Sequence, residues 1–211
     1  TVTAPAGDSA DTRIAIIDDV TMTASVATNF TFTVAAVGSG TAINGDAVTT
    51  SAGATATALP FGDLASGVAE VLGQDLTVST NARNGFTVGI FQDQNLLSAN
   101  GADIDVFKDG SGAFTPLSWT TPAGTIDTEA TYGHYGITSE DADLNSDEFG
   151  TALYASIGTS TPRTVFSHTG PANGSTANKG ATRVGVKIEI TSLQEAADDY
   201  TNSLTYIATP T

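Results

Sequence analysis

Hydrophobic and polar positions alternate with a period of two over much of this chain, and that alternation is the mark of a strand with one buried face. In the last stretch, residues 200–211, Leu204, Tyr206 and Ala208 alternate with Ser203, Thr205 and Ile207. A strand in such a place either has partners on both sides or leaves an edge open to another molecule. Leu204, Tyr206 and Ala208 are therefore the expected inward positions of an acceptor edge. Val184, Val186, Ile188 and Ile190 alternate with Gly185, Lys187 and Glu189 and give the clearest strand of all. Val20, Met22, Ala24 and Val26, followed by Phe30, Phe32 and Val34, read as two successive strands of the same body.

Residues 75–91 read as a hairpin. A two-residue turn at Asn84-Gly85 would mix apolar and polar groups on one face. A five-residue loop over 81–85 pairs Thr80 with Phe86, Val78 with Val88 and Leu76 with Ile90, and sets the large apolar groups on one side. Residues 41–59 form weak strands with Asn44-Gly45 as a turn. Leu64, Val68, Val71 and Leu72 have helical spacing, but Gly62, Gly67 and Gly73 interrupt it. From 92 to 160 the chain is rich in turns, with strand-like pieces at 104–107, 117–120 and 152–157. Residues 192–199 are a polar connection.

Only 14% of the residues are charged, and Thr, Ala, Gly and Ser fill much of the remainder, a mixture suited to short strands and turns. A chain of 211 residues can bury roughly 70% of its unfolded surface. The expected fold is all-β: a single antiparallel β-sandwich over residues 20–211, of jelly-roll or immunoglobulin-like type, with an extended N-terminal arm over residues 1–19. The arm carries Thr12, Ile14, Ile16 and Ile17 and is the candidate donor strand. It is expected to dock on its own sandwich or on a neighbour.

Seven Lys plus Arg face 23 Asp plus Glu, a net charge of −16. Such a surface repels nucleic acid and anionic membranes. Its self-repulsion predicts that any assembly strengthens with salt or divalent cations. No stretch has the length and apolarity of a membrane span. The chain has no cysteine, so disulfides cannot staple it. Its polar start at Thr1 is the kind of N-terminus a cleaved secretory signal leaves, which predicts an extracellular or cell-surface location.

Enzymatic motifs are absent: there is no H-E-x-x-H, P-loop or G-x-S-x-G. His134, in Tyr132-Gly-His-Tyr-Gly136, reads as part of an aromatic turn, and no pair of carboxylates is singled out for glycoside hydrolysis. The densest acidic run contains Asp141, Asp143, Asn145 and Asp147, alternating oxygen ligands of the kind calcium takes. The run departs from the EF-hand pattern, with Glu148 at the glycine position when counted from Asp143, and a solvated acidic loop is the plainer reading. Asn29-Phe-Thr31 and Asn173-Gly-Ser175 match the N-glycosylation pattern. Trp119 reads as a core or rim aromatic.

The segments Val20-Thr-Met-Thr-Ala24, Phe30-Thr-Phe-Thr-Val34, Asn84-Gly-Phe-Thr-Val88, Thr182-Arg-Val-Gly-Val186 and Tyr200-Thr-Asn-Ser-Leu-Thr-Tyr206 together resemble secreted surface β-sandwich proteins of candidate-phylum bacteria. The final strand is loosely similar to cell-surface WxL domains, although Trp119 is followed by Thr120 and Thr121 and the Trp-x-Leu motif is missing. The resemblance implies a surface location. The expected function is a non-enzymatic structural subunit, a head-to-tail homopolymer forming a pilus-like filament or surface layer by strand donation between copies. The second reading is a carbohydrate-binding or adhesion module that stacks surface glycans on Trp119, Tyr132 and Tyr135. No cofactor beyond calcium is expected.

Overall fold

The computed structural model describes residues 15, 18–49, 53–144 and 149–211. The fold is all-β and sandwich-like. Fourteen strands follow one another in the described chain: β1 (Phe30–Ala36), β2 (Ala42–Ile43), β3 (Asp46–Ala47), β4 (Glu70–Thr80), β5 (Phe86–Gln92), β6 (Leu96–Leu97), β7 (Asp103–Val106), β8 (Leu117–Ser118), β9 (Gly133–Ser139), β10 (Leu153–Tyr154), β11 (Arg163–His168), β12 (Ala172–Asn173), β13 (Ala181–Ile190) and β14 (Leu204–Pro210). The larger sheet has the order β1-β4-β13-β9-β7-β6, with β12 also on β4, and the smaller has the order β11-β5-β14. The pairing is antiparallel except between β7 and β9, which run parallel, so the larger sheet is mixed.

The expected hairpin over 75–91 is corrected. β4 pairs with β1 and β13, whereas β5 pairs with β11 and β14, so residues 81–85 carry the chain from one sheet to the other. Leu76, Val78, Phe86, Val88 and Ile90 do share one apolar environment, but they meet across the interior instead of side by side. Each strand gains two backbone partners this way, where a hairpin would have used one side of each on the other. The arch depends on Gly85, which has φ 85° and a backbone so close to His168 that a Cβ would lie 1.7 Å from its carbonyl oxygen.

Val184, Val186 and Ile188 of β13 join the same core, which also holds Ile104, Tyr135, Ile137 and Phe166. Burial of each large apolar side chain stabilises the fold by roughly 1.5–3 kcal/mol. A second, smaller core gathers Val37, Ile43, Val48 and Leu72 at the larger sheet. Gly73 makes room for it, since a Cβ there would stand 2.1 Å from Ile43 Cδ1. The β2–β3 hairpin turns at Asn44 (φ 47°) and Gly45 (φ 96°), a pair suited to left-handed backbone.

Residues 20–26 form no strand, which corrects the expectation that they are the first strand of the sandwich. Every residue from 18 to 29 is exposed, and Val20, Met22 and Val26 are 84, 93 and 85% exposed. No helix spans 64–72; β4 begins at Glu70, and the glycines before it end any helical run.

Candidate functional site

The arrangement with the clearest capacity to act on another molecule is an open flank of the sandwich and an unpaired segment beside it. β1 and β14 are the outermost strands of their sheets on the same side, and Phe32 and Tyr206 meet edge to face across the gap with centroids 6.1 Å apart. Among the described residues each is paired along one edge only, β1 with β4 and β14 with β5. Their inward side chains, Phe30, Phe32 and Val34 with Leu204, Tyr206 and Ala208, pack on the core but stay partly accessible. The positions expected as an acceptor edge are thus the inward row of an edge strand. At the Leu204 end two adjoining clefts, of about 500 and 470 Å³, share Leu59, Pro60, Leu96 and Tyr200.

The segment before β1 is tethered by Asn81 at the arch. Its side-chain oxygen accepts from the Asn29 N–H at 2.7 Å, and its amide donates to the Ala27 carbonyl at 2.8 Å. Beyond Ala27 the alternating Val20, Met22, Ala24 and Val26 face solvent. An extended apolar row of this kind is a strand without a sheet. Thr12, Ile14, Ile16 and Ile17, the expected donor positions, lie outside the described residues.

Asn145 and Asp147 of the expected calcium run also lie outside them. Asp141 is buried, accepting from the Asp143 N–H at 3.1 Å and the Ser167 N–H at 2.8 Å, so it docks its loop onto β11. The Asp143 carboxylate turns to His168, 3.8 Å away. A different acidic group comes together on β7 and the turn before β9: Asp103, Asp105 and Glu129 each bring one carboxylate oxygen within 4.8 Å of the others. These oxygens could hold a hard cation. The Asn95 amide donates to both Asp103 and Asp105 at 2.9 Å. Burial, then a hydrogen bond with Asp103 and the charges of Asp103, Asp105 and Glu195, push the Glu129 carboxyl up to about 8. The signal in the sequence was Asp103-x-Asp105, two acids on one strand face; Glu129 is remote in sequence.

His134 belongs to β9 and not to a turn, and it is fully buried. Its Nδ1 lies 3.0 Å from Asp109 and its Nε2 2.9 Å from the Thr120 carbonyl, and burial lowers its pKa against the pull of Asp109. Trp119 stacks on Phe107 at 5.0 Å and donates to Glu189 at 2.7 Å. Tyr135 is buried with its hydroxyl on Gln92, and the Tyr132 hydroxyl accepts from the Asp127 N–H, so the three rings proposed for glycan stacking do not form one open platform. Lys187 and Tyr154 both bond Asp46, at 2.9 and 2.6 Å; burial pulls that carboxyl upward, but the two hydrogen bonds hold it below the ordinary range.

No helix among the described residues is long and apolar enough to cross a membrane. Comparison with known protein families and with curated proteins finds no match for the chain.

Proposed function

We propose that this chain is a structural, non-enzymatic subunit of an extracellular filament or surface layer, polymerising head to tail by giving a strand to the open sheet edge of the next copy. The observation that carries the reading is the strand-patterned row at 20–26, exposed and, among the described residues, unpaired, beside a sandwich in which no described residue pairs with the second edge of β14. A monomer in water leaves that apolar row uncovered, and β-augmentation covers it while satisfying both sets of backbone groups. Ile14 and Ile16 share the even parity of Val20–Met22–Ala24–Val26, so the arm and this segment can continue one strand face. A contact between unlike surfaces does not close on itself and extends into a fibre. The surface location rests on the resemblance of the strand segments to secreted surface proteins.

Negative-stain electron microscopy of the purified full-length chain tests the reading. Regular filaments or sheets of one subunit's width are expected. Dispersed particles of monomer size at every concentration would overturn it.

A further inference from the structure

Resting on that strand-donation reading, we infer that residues 20–26 of one copy lie antiparallel along the edge of β14 that no described residue pairs, in the next copy, entering at its Leu204 end. The direction follows from topology. β1 begins, and β14 finishes, at the arch end of the body: Asn29 is bonded to Asn81, Pro210 is opposite Phe86, and the Thr211 N–H donates to the Gly85 carbonyl. The opposite end holds Leu204, opposite Gln92, and the cleft lined by Leu59, Tyr200 and Leu204. A segment leaving the arch end of one body meets the Leu204 end of a copy stacked above it, and there its chain direction opposes β14. Asn81 holds Ala27 and Asn29 at the arch, so the donated segment leaves its own body at Val26.

The occupant is a second copy of this chain for three reasons. Length matches: residues 20–26 equal the seven residues of β14. Parity matches: pairing Val26 with Leu204, Ala24 with Tyr206, Met22 with Ala208 and Val20 with Pro210 sets every apolar donor on the inward face. The small Ala24 then lies beside the large Tyr206, and the long Met22 beside the small Ala208. Charge matches: in a chain of net −16, no Asp, Glu, Lys or Arg occurs between Val20 and Gly45 or after Asp199. The donor, β1 and β14 therefore bring no charge of their own to the contact.

In this register Thr23 falls opposite Ile207 and Thr21 opposite Thr209, all outward-facing. The chain lacks cysteine, so a double variant Thr23→Cys with Ile207→Cys introduces the only thiols. Mild oxidation of the assembled full-length variant is expected to convert the monomer band into a thiol-reversible ladder on a denaturing gel. The pair Thr21→Cys with Thr209→Cys should do the same and guards against a local defect. Thr23→Cys with Thr33→Cys, on the free edge of β1, should not. A disulfide confined to the monomer, or a ladder only through Thr33, overturns the inference. Filaments seen by microscopy without a ladder from either β14 pair overturn this assignment alone and leave strand donation standing; loss of all filaments from the unmodified chain overturns both.

Discussion

Glu129 shares its surroundings with Asp103 and Asp105, and the crowding has a consequence for stability. Its folded carboxyl holds a proton up to about pH 8, where the unfolded one releases it near the ordinary value of 4.5. The folded state thus binds more protons across that window, so the contribution is fully present below 4.5 and is lost as pH rises through about 8. Asp46, Asp93 and Asp199 are shifted the other way, and their contributions fade only in stronger acid. Thermal melts should show stability falling between pH 5 and 9. Glu129→Gln should flatten that slope and raise the melting temperature at the alkaline end. An unchanged slope would remove Glu129 as its cause. Single residues of this kind were the least legible in the sequence: Asp103-x-Asp105 was visible, but only the fold brings Glu129 to it. His134 was misplaced because glycines on both sides of it imitate a turn.

The element that resisted reading most was β9, whose seven residues are all buried. A strand covered on both faces does not alternate, and Gly133, Gly136, Thr138 and Ser139 look like loop residues until their neighbours are known. Gly136 is required because a Cβ there would come within 2.9 Å of Phe107. β13 and β14, which alternate, were legible along their length. The apolar phase of β4 and β5 was also legible, but the choice between a hairpin and a change of sheet was not. That choice depends on which other strands compete for each edge. Residues 20–26 show the converse case, a strand pattern without a strand in its own subunit. Deleting residues 1–26 should leave the melting temperature unchanged and abolish assembly, whereas deleting residues 1–19 should retain assembly, both read by size exclusion with light scattering. Loss of assembly in the shorter deletion would place the donor on Ile14 and Ile16 instead.

As a whole molecule, the protein combines strong negative charge with a neutral flank. Repulsion between copies acts over a Debye length, about 8 Å at physiological ionic strength, so it keeps the bodies apart wherever charged surfaces face one another. The neutral stretches coincide with the two edge strands and the free segment, and contact there carries the least penalty. The all-β architecture followed from composition and period. The openness of one flank did not, because an edge is a property of the finished sheet order. The proposed assembly requires that the row at 20–26 be buried only in a second copy. Met22 is 93% exposed in the single subunit, so Met22→Asp has no core to disturb, but on the inward face beside Ala208 of the next copy its carboxylate would lose water without gaining a partner. Electron microscopy of both proteins at equal concentration tests this most directly: the account predicts filaments from the unmodified chain and folded monomers of the same melting temperature from Met22→Asp, and filaments of equal abundance from both would contradict it.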